Sequence, residues 1–208
     1  MNRFSNSRRM LPAAIAGLVL PLALGIATAE AETVRVRGVV VSLDGSKLVV
    51  QSKDGANIPI TLKDNFAALA TVKATMADIK PGTFIGTATV TQPDSSLRSV
   101  EVVVFADPLR GLAEGHYPWD LGASSMMTNA TVANAVQGVD GQTVTVTYKG
   151  GEKKIAIPAN VPVVELEPGD KSGVTAGAAV FVPADKQADG SLLSGAVIYG
   201  KDGVVPPM

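Results

Sequence analysis

Apolar and polar residues alternate in short runs along most of the chain, and turn residues separate the runs at close intervals. Residues 34–43, 47–51 and 57–62 each carry alternating Val, Ile or Leu, with Asp44-Gly45 and Asp54-Gly55 between them. A period of two marks a strand with one buried face, and Asp-Gly accepts the positive φ of a tight hairpin turn. The three segments predict an antiparallel meander. Two more strands are expected over 83–91 and 97–105, joined by Pro93-Asp94-Ser95-Ser96. The stretch 64–80 between them is ambiguous by itself, because Phe66, Leu69, Val72, Met76 and Ile79 would lie on one face of a helix capped by Asp64.

A shift of the chain on itself by 95 or 96 residues aligns two halves. At 96, Val40, Asp44, Gly45, Val50, Lys53 and Gly55 fall on Val136, Asp140, Gly141, Val146, Lys149 and Gly151. At 95, Asn65, Gly82, Asp94, Ser96, Leu97, Ser99 and Val102 fall on Asn160, Gly177, Asp189, Ser191, Leu192, Ser194 and Val197. Collinear matches at one period predict a duplicated module. The repeat also resolves 64–80, since its counterpart holds Pro162, Pro168, Gly169 and Gly173, which a continuous helix does not tolerate. An extended stretch followed by a short helical turn near 76–80, and again near 171–175, is therefore expected.

Three strands, a short helix and two strands in about 70 residues correspond to a five-stranded barrel of the OB type. The predicted fold is mainly β: two tandem OB-like five-stranded barrels, at 32–105 and 130–208, joined by an irregular connector at 106–129. The opening Val36, Gly38, Val40, Leu43, Asp44, Gly45, Leu48 and Val50 resembles that of exported bacterial proteins of unknown function built from duplicated OB-like modules. The resemblance implies a fold and a compartment, and no activity.

The first 31 residues read as an address. Arg3, Arg8 and Arg9 precede an apolar run over 11–26, and Ala27-Thr28-Ala29 and Ala29-Glu30-Ala31 offer cleavage sites. This is the plan of a secretory signal peptide, and a run of about 16 residues broken by Pro12 and Pro21 is short for a membrane span. The general secretory route to the periplasm is expected, with no stable membrane anchor after cleavage; Arg8-Arg9 leaves the twin-arginine route open. Cleavage after Ala31 removes Arg3, Arg8, Arg9 and Glu30, leaving 15 basic against 18 acidic residues. That balance, with 4% aromatic residues, argues against a nucleic-acid partner. The absence of Cys closes disulfide, thiolate and zinc-finger chemistry, and a single His closes any site that needs two imidazoles from one chain.

The scarce side chains collect in the connector, which contains the only His, the only Trp and the Met126-Met127 pair. A loop of this length in a compact protein is usually functional when it is ordered. Glu114, His116, Tyr117, Trp119 and Asp120 are the candidate ligand-binding residues, and His116, Met126 and Met127 form a soft set suited to copper. His116 with Glu114 and Asp120 would suit a harder divalent metal. The competing expectation is structural: Tyr117 and Trp119 wedge between two barrels and the Met pair fills gaps.

No nucleophile elbow or triad order surrounds Ser124, Ser125 and His116, although Glu114 and Asp120 are a carboxylate pair of the kind that works on glycosidic bonds. The P-loop-like stretch from Gly195 to Lys201 lacks the Ser/Thr and the following helix. The leading expectation is a non-catalytic periplasmic binding or accessory protein, with no resident cofactor, that meets an envelope protein or a small ligand. A periplasmic metal-handling protein and a saccharide-processing enzyme are the alternatives.

Overall fold

The computed structural model describes Met1 and residues 32–208; the remainder of the expected signal peptide lies outside the described residues. Twelve strands follow one another: β1 (Thr33–Asp44), β2 (Lys47–Ser52), β3 (Asn57–Lys73), β4 (Phe84–Thr91), β5 (Leu97–Phe105), β6 (Gly115–Pro118), β7 (Met126–Gly138), β8 (Gly141–Tyr148), β9 (Gly151–Pro158), β10 (Val163–Pro168), β11 (Ala179–Lys186) and β12 (Leu192–Gly200). Short 3₁₀ turns stand at Met76–Asp78, Asp107–Leu109 and Lys171–Gly173, two of them where the sequence placed its helical turns. The fold class is the expected one, mainly β and barrel-forming. Among the described residues no helix is long and apolar enough to cross a membrane.

The strands close two five-membered rings, β1–β2–β3–β12–β11 and β7–β8–β9–β5–β4. In each ring the closing contact is parallel: Leu193 of β12 lies opposite Thr61 of β3, and Leu97 of β5 lies opposite Ile155 of β9. This is the OB strand order, but neither ring is consecutive in the chain. The first meander is closed by β11 and β12 from the second half, and the second meander by β4 and β5 from the first. The boundaries 32–105 and 130–208 thus delimit two series of strands and not the two barrels.

The length of β3 explains the exchange. Seventeen extended residues reach about 55 Å, more than one small barrel accommodates, so β3 leaves its own ring and carries the chain to the other. There it pairs antiparallel with β10, which also runs parallel to β5 and so stitches the rings together. The pair Thr71 and Leu166 joins residues separated by the repeat spacing, with Val72 opposite Glu165 and Ala70 opposite Glu167 on either side. In the second half Pro158 and Pro162, which cannot donate to a ladder, interrupt the same path and divide it into β9 and β10.

One detail of the alignment is corrected. Val40 lies opposite Val50 at the bulge of the first hairpin, and Val132 lies opposite Val146 at the bulge of the second. Val132 therefore takes the place of Val40, and Val136 does not. Val136 is 60% exposed, whereas Val40 and Val132 are buried. The second hairpin projects further, which shifted the apparent match of Asp44-Gly45.

Each ring has an apolar interior, Leu48, Val50, Ile60 and Val182 in the first and Ile85, Val102, Val144 and Ile155 in the second. A third cluster lies between the rings, with Phe84, Val103, Phe105, Leu166, Phe181 and Ile198, and Trp119 packs against it.

Candidate functional site at the barrel interface

Alternation along β4 and β5 sends Ile85, Val102 and Val104 into the second barrel and Phe84, Val103 and Phe105 outward, toward the first. Glu101 has the parity of Val103, so its carboxylate points into the interface. Ladder pairing places Tyr117, Met127, Ala88 and Glu101 in one row across β6, β7, β4 and β5. The next row holds Asn129 and Gly86. The absence of a side chain at Gly86 leaves room for Asn129, since a Cβ there would lie 2.5 Å from its Oδ1 and displace that side chain. Asn129 Nδ2 donates to the Leu112 carbonyl and to the Tyr117 hydroxyl, each at 3.2 Å.

The first barrel supplies two arginines from β1. Arg37 donates from Nη1 and Nη2 to the two carboxylate oxygens of Asp120 at 2.8 and 2.6 Å, and from Nε to the main-chain oxygen of Met208. A planar guanidinium suits this bidentate pairing, and it also lies 5.1 Å from the Phe181 ring centroid. Arg35 stacks on Trp119 at 4.1 Å and donates to the Pro118 carbonyl at 3.3 Å. Trp119 in turn lies 6.0 Å from Phe181 and 6.1 Å from Tyr117.

Glu101 is 1% exposed, and neither carboxylate oxygen has a hydrogen-bond partner. Burial pushes its carboxyl up to about 7, with the Arg37 charge opposing the shift and the Asp120 charge adding to it. Burial also raises Asp120, but the hydrogen bonds and charge of Arg37 outweigh it and hold that carboxyl below the usual range. Trp119 Nε1, Ser125 Oγ and Asn129 Oδ1 are likewise buried without partners, so every such atom among the described residues belongs to the connector or to the strands beneath it.

The structure separates the residues picked out by the sequence. His116 lies opposite Thr128, with its Nδ1 2.8 Å from the Thr128 hydroxyl, and Met126 lies opposite Pro118 on the same face. Met127 lies opposite Tyr117, on the other face of the β6–β7 ladder, so His116, Met126 and Met127 do not converge. Burial and the Lys153 charge hold His116 below its ordinary pKa. Glu114 is exposed and accepts the Lys149 amide at 2.9 Å, on the β8–β9 turn, while Asp120 is held by β1. The carboxylate pair is thus engaged by two different barrels. Titration with Cu(I) is expected to give the same affinity for the wild-type chain and for a His116→Ala, Met126→Ala, Met127→Ala variant; a clear loss in the variant would restore the metal set.

Trp119 and Tyr117 do come together, against the interbarrel cluster. Truncating a half-buried Trp that also carries a cation–π contact is expected to lower stability by about 2–3 kcal/mol in Trp119→Ala, measured by urea unfolding. A loss below about 1 kcal/mol would make the ring a free platform.

The sequence reading missed Arg35, Arg37, Glu101 and Asn129, and weighed Ser125 only as a catalytic hydroxyl. One signal for Glu101 was present: it is the lone carboxylate in Val100-Glu101-Val102-Val103-Val104-Phe105, a run apolar on both faces. Asn129 heads an Asn-Ala-Thr glycosylation sequon, but its burial, at 5% exposed, takes it away from such a role.

Two grooves lie at corresponding places on the barrels. One, about 610 Å³, runs beside β8 and β9 under Ser95, Ser96 and Leu97, with Lys153 and Lys154 at its side. The other, about 550 Å³, runs beside β2 and β3 under Gly190, Ser191 and Leu192, with Ile58 and Pro59. Comparison of the chain with family models, with curated proteins and with solved structures found no match.

Proposed function

We propose that the chain is a non-catalytic binding or accessory protein of the bacterial periplasm, in which the connector clasps two interleaved barrels and the grooves receive the ligand. The observation that carries this reading is the engagement of the connector within the protein: Asp120 with Arg37, Glu114 with the Lys149 amide, His116 with Thr128 and Tyr117 with Asn129. Side chains committed in this way stiffen an interface and leave little free to act on a substrate. OB barrels take extended polymers beside the loops that flank strands two and three, which is where both grooves lie. The acidic balance of the exported chain sets nucleic acid aside, and Lys153 and Lys154 suit an acidic oligosaccharide of the envelope.

Amide NMR of the labelled chain with acidic and neutral oligosaccharides tests the reading. Shifts are expected at 95–97, 143 and 153–154, reduced in Lys153→Ala, Lys154→Ala. No shift with either probe would remove the polymer ligand. Cleavage of the probe, lost in Glu114→Gln or Asp120→Asn, would replace the proposal with the enzyme.

A further inference from the structure

Arg37 of β1 in the first barrel and Asp120 of the connector form a bidentate pair, and the unpartnered Glu101 carboxylate of β5 in the second barrel is buried at the same interface, near enough to feel both charges. Only one of the two carboxylates is bonded to the arginine. The backbone around Glu101 is rigid, because Thr87 and Ser99 hydroxyls donate to its carbonyl at 2.8 and 3.0 Å from inside the barrel. The other charged or titratable side chains carried to this face are Arg35 from β1 and Tyr117 from β6; β4 contributes Phe84, Gly86 and Ala88, β7 contributes Met127 and Asn129, and the Met208 main-chain oxygen accepts from Arg37.

We propose that these three residues are a proton-operated latch between the connector and the first barrel. With Glu101 neutral, the two Nη groups of Arg37 are given to Asp120 and its Nε to the Met208 main-chain oxygen, and the connector from Tyr117 to Asp120 is held against β1. Loss of the Glu101 proton to solvent places a second carboxylate beside the same guanidinium. The Arg37–Asp120 bond is then shared and weakened, and the buried Glu101 becomes negatively charged beside the more exposed pair, which loosening of the connector relieves by admitting water. Tyr117 stays protonated throughout, since burial raises it despite the opposing Arg35 charge. The switch falls near neutrality because burial holds the Glu101 carboxyl there. The latch is independent of the ligand grooves, so the failure of either proposal leaves the other standing.

Trp119, one residue from Asp120 and the only Trp, reports on the latch. Its emission and quenching by acrylamide are followed in the full chain from pH 5.5 to 8.5. A single-proton transition near pH 7 is expected, toward redder emission and about twofold stronger quenching at high pH. Glu101→Gln is expected to remain in the low-pH form throughout, and His116→Gln to keep the transition. A flat wild-type profile, a transition that survives Glu101→Gln, or one that disappears in His116→Gln overturns the proposal. Should Glu101→Gln fail to fold, the Glu101 carboxyl carbon is titrated by NMR in Asp120→Asn. Removing the neighbouring charge is expected to lower the Glu101 proton affinity about threefold, and an unchanged midpoint overturns the coupling.

Discussion

Phe84→Ala lowers the unfolding free energy by about 3–5 kcal/mol and displaces one thermal transition that both barrels share. Phe84 is 2% exposed and meets Phe105 edge to face, at 5.2 Å between centroids and 69° between planes, in the cluster between the rings. Truncation leaves a cavity where residues of both barrels meet, and the rigid ladders around it cannot collapse to fill it. At roughly 2–4 °C per kcal/mol for a chain of this size, the transition falls by about 6–20 °C. A single transition is expected because each ring is closed by a hairpin from the other half, so neither can open and leave its partner intact. Calorimetry decides the matter: two transitions in the wild-type chain, with only one displaced in Phe84→Ala, would mean that the barrels unfold independently.

Stability falls as pH rises from about 4.5 to about 7, by about 3 kcal/mol for Glu101 alone. Its carboxyl moves from 4.5 in the unfolded chain to about 7 in the folded one, so over that window the native state binds the extra proton. The contribution is complete below the unfolded value, declines through the window, and is gone once the pH exceeds the folded one. His116 acts with the opposite sign, since its lowered pKa makes the unfolded state bind more proton below its ordinary value. The lowered aspartates, Asp78 and Asp120 among them, act only in more acid solution. The difference between wild type and Glu101→Gln isolates Glu101 from all of these. Urea unfolding at pH 5 and pH 8 should find the variant gaining on wild type by about 3 kcal/mol between the two; an unchanged difference would show that Glu101 keeps an ordinary carboxyl.

Much of the local structure was legible along the chain. Alternating Val and Ile placed the strands, and Asp54-Gly55 marked a turn with Gly55 at φ 87°. The prolines at 162 and 168 excluded a helix that Phe66 to Ile79 alone would have permitted. These signals are local: they depend on backbone dihedrals and on burial of one face within a few residues. The connector called irregular holds β6 and the start of β7, and the contact of Trp119 with Tyr117 and the barrel interface matches the structural expectation. The metal grouping of His116 with Met126 and Met127 did not, because adjacency in sequence puts Met126 and Met127 on opposite faces of a strand.

The chain by itself determined the strands, their turns, the order of elements in each half and the scarcity of catalytic side chains, all set by period, turn chemistry and composition. Which hairpin closes which meander was decided only in three dimensions. Both hairpins present similar apolar alternation, and the choice rests on how far β3 runs before it turns and on its pairing with β10. The same closure brought Arg37 from one barrel to Glu101 from the other and Asp120 from between them, residues 64 and 83 positions apart from Arg37 along the chain. No local pattern encodes a meeting across that separation. Burial at the interface then turned an ordinary glutamate in a valine-rich strand into a carboxylate poised near neutrality.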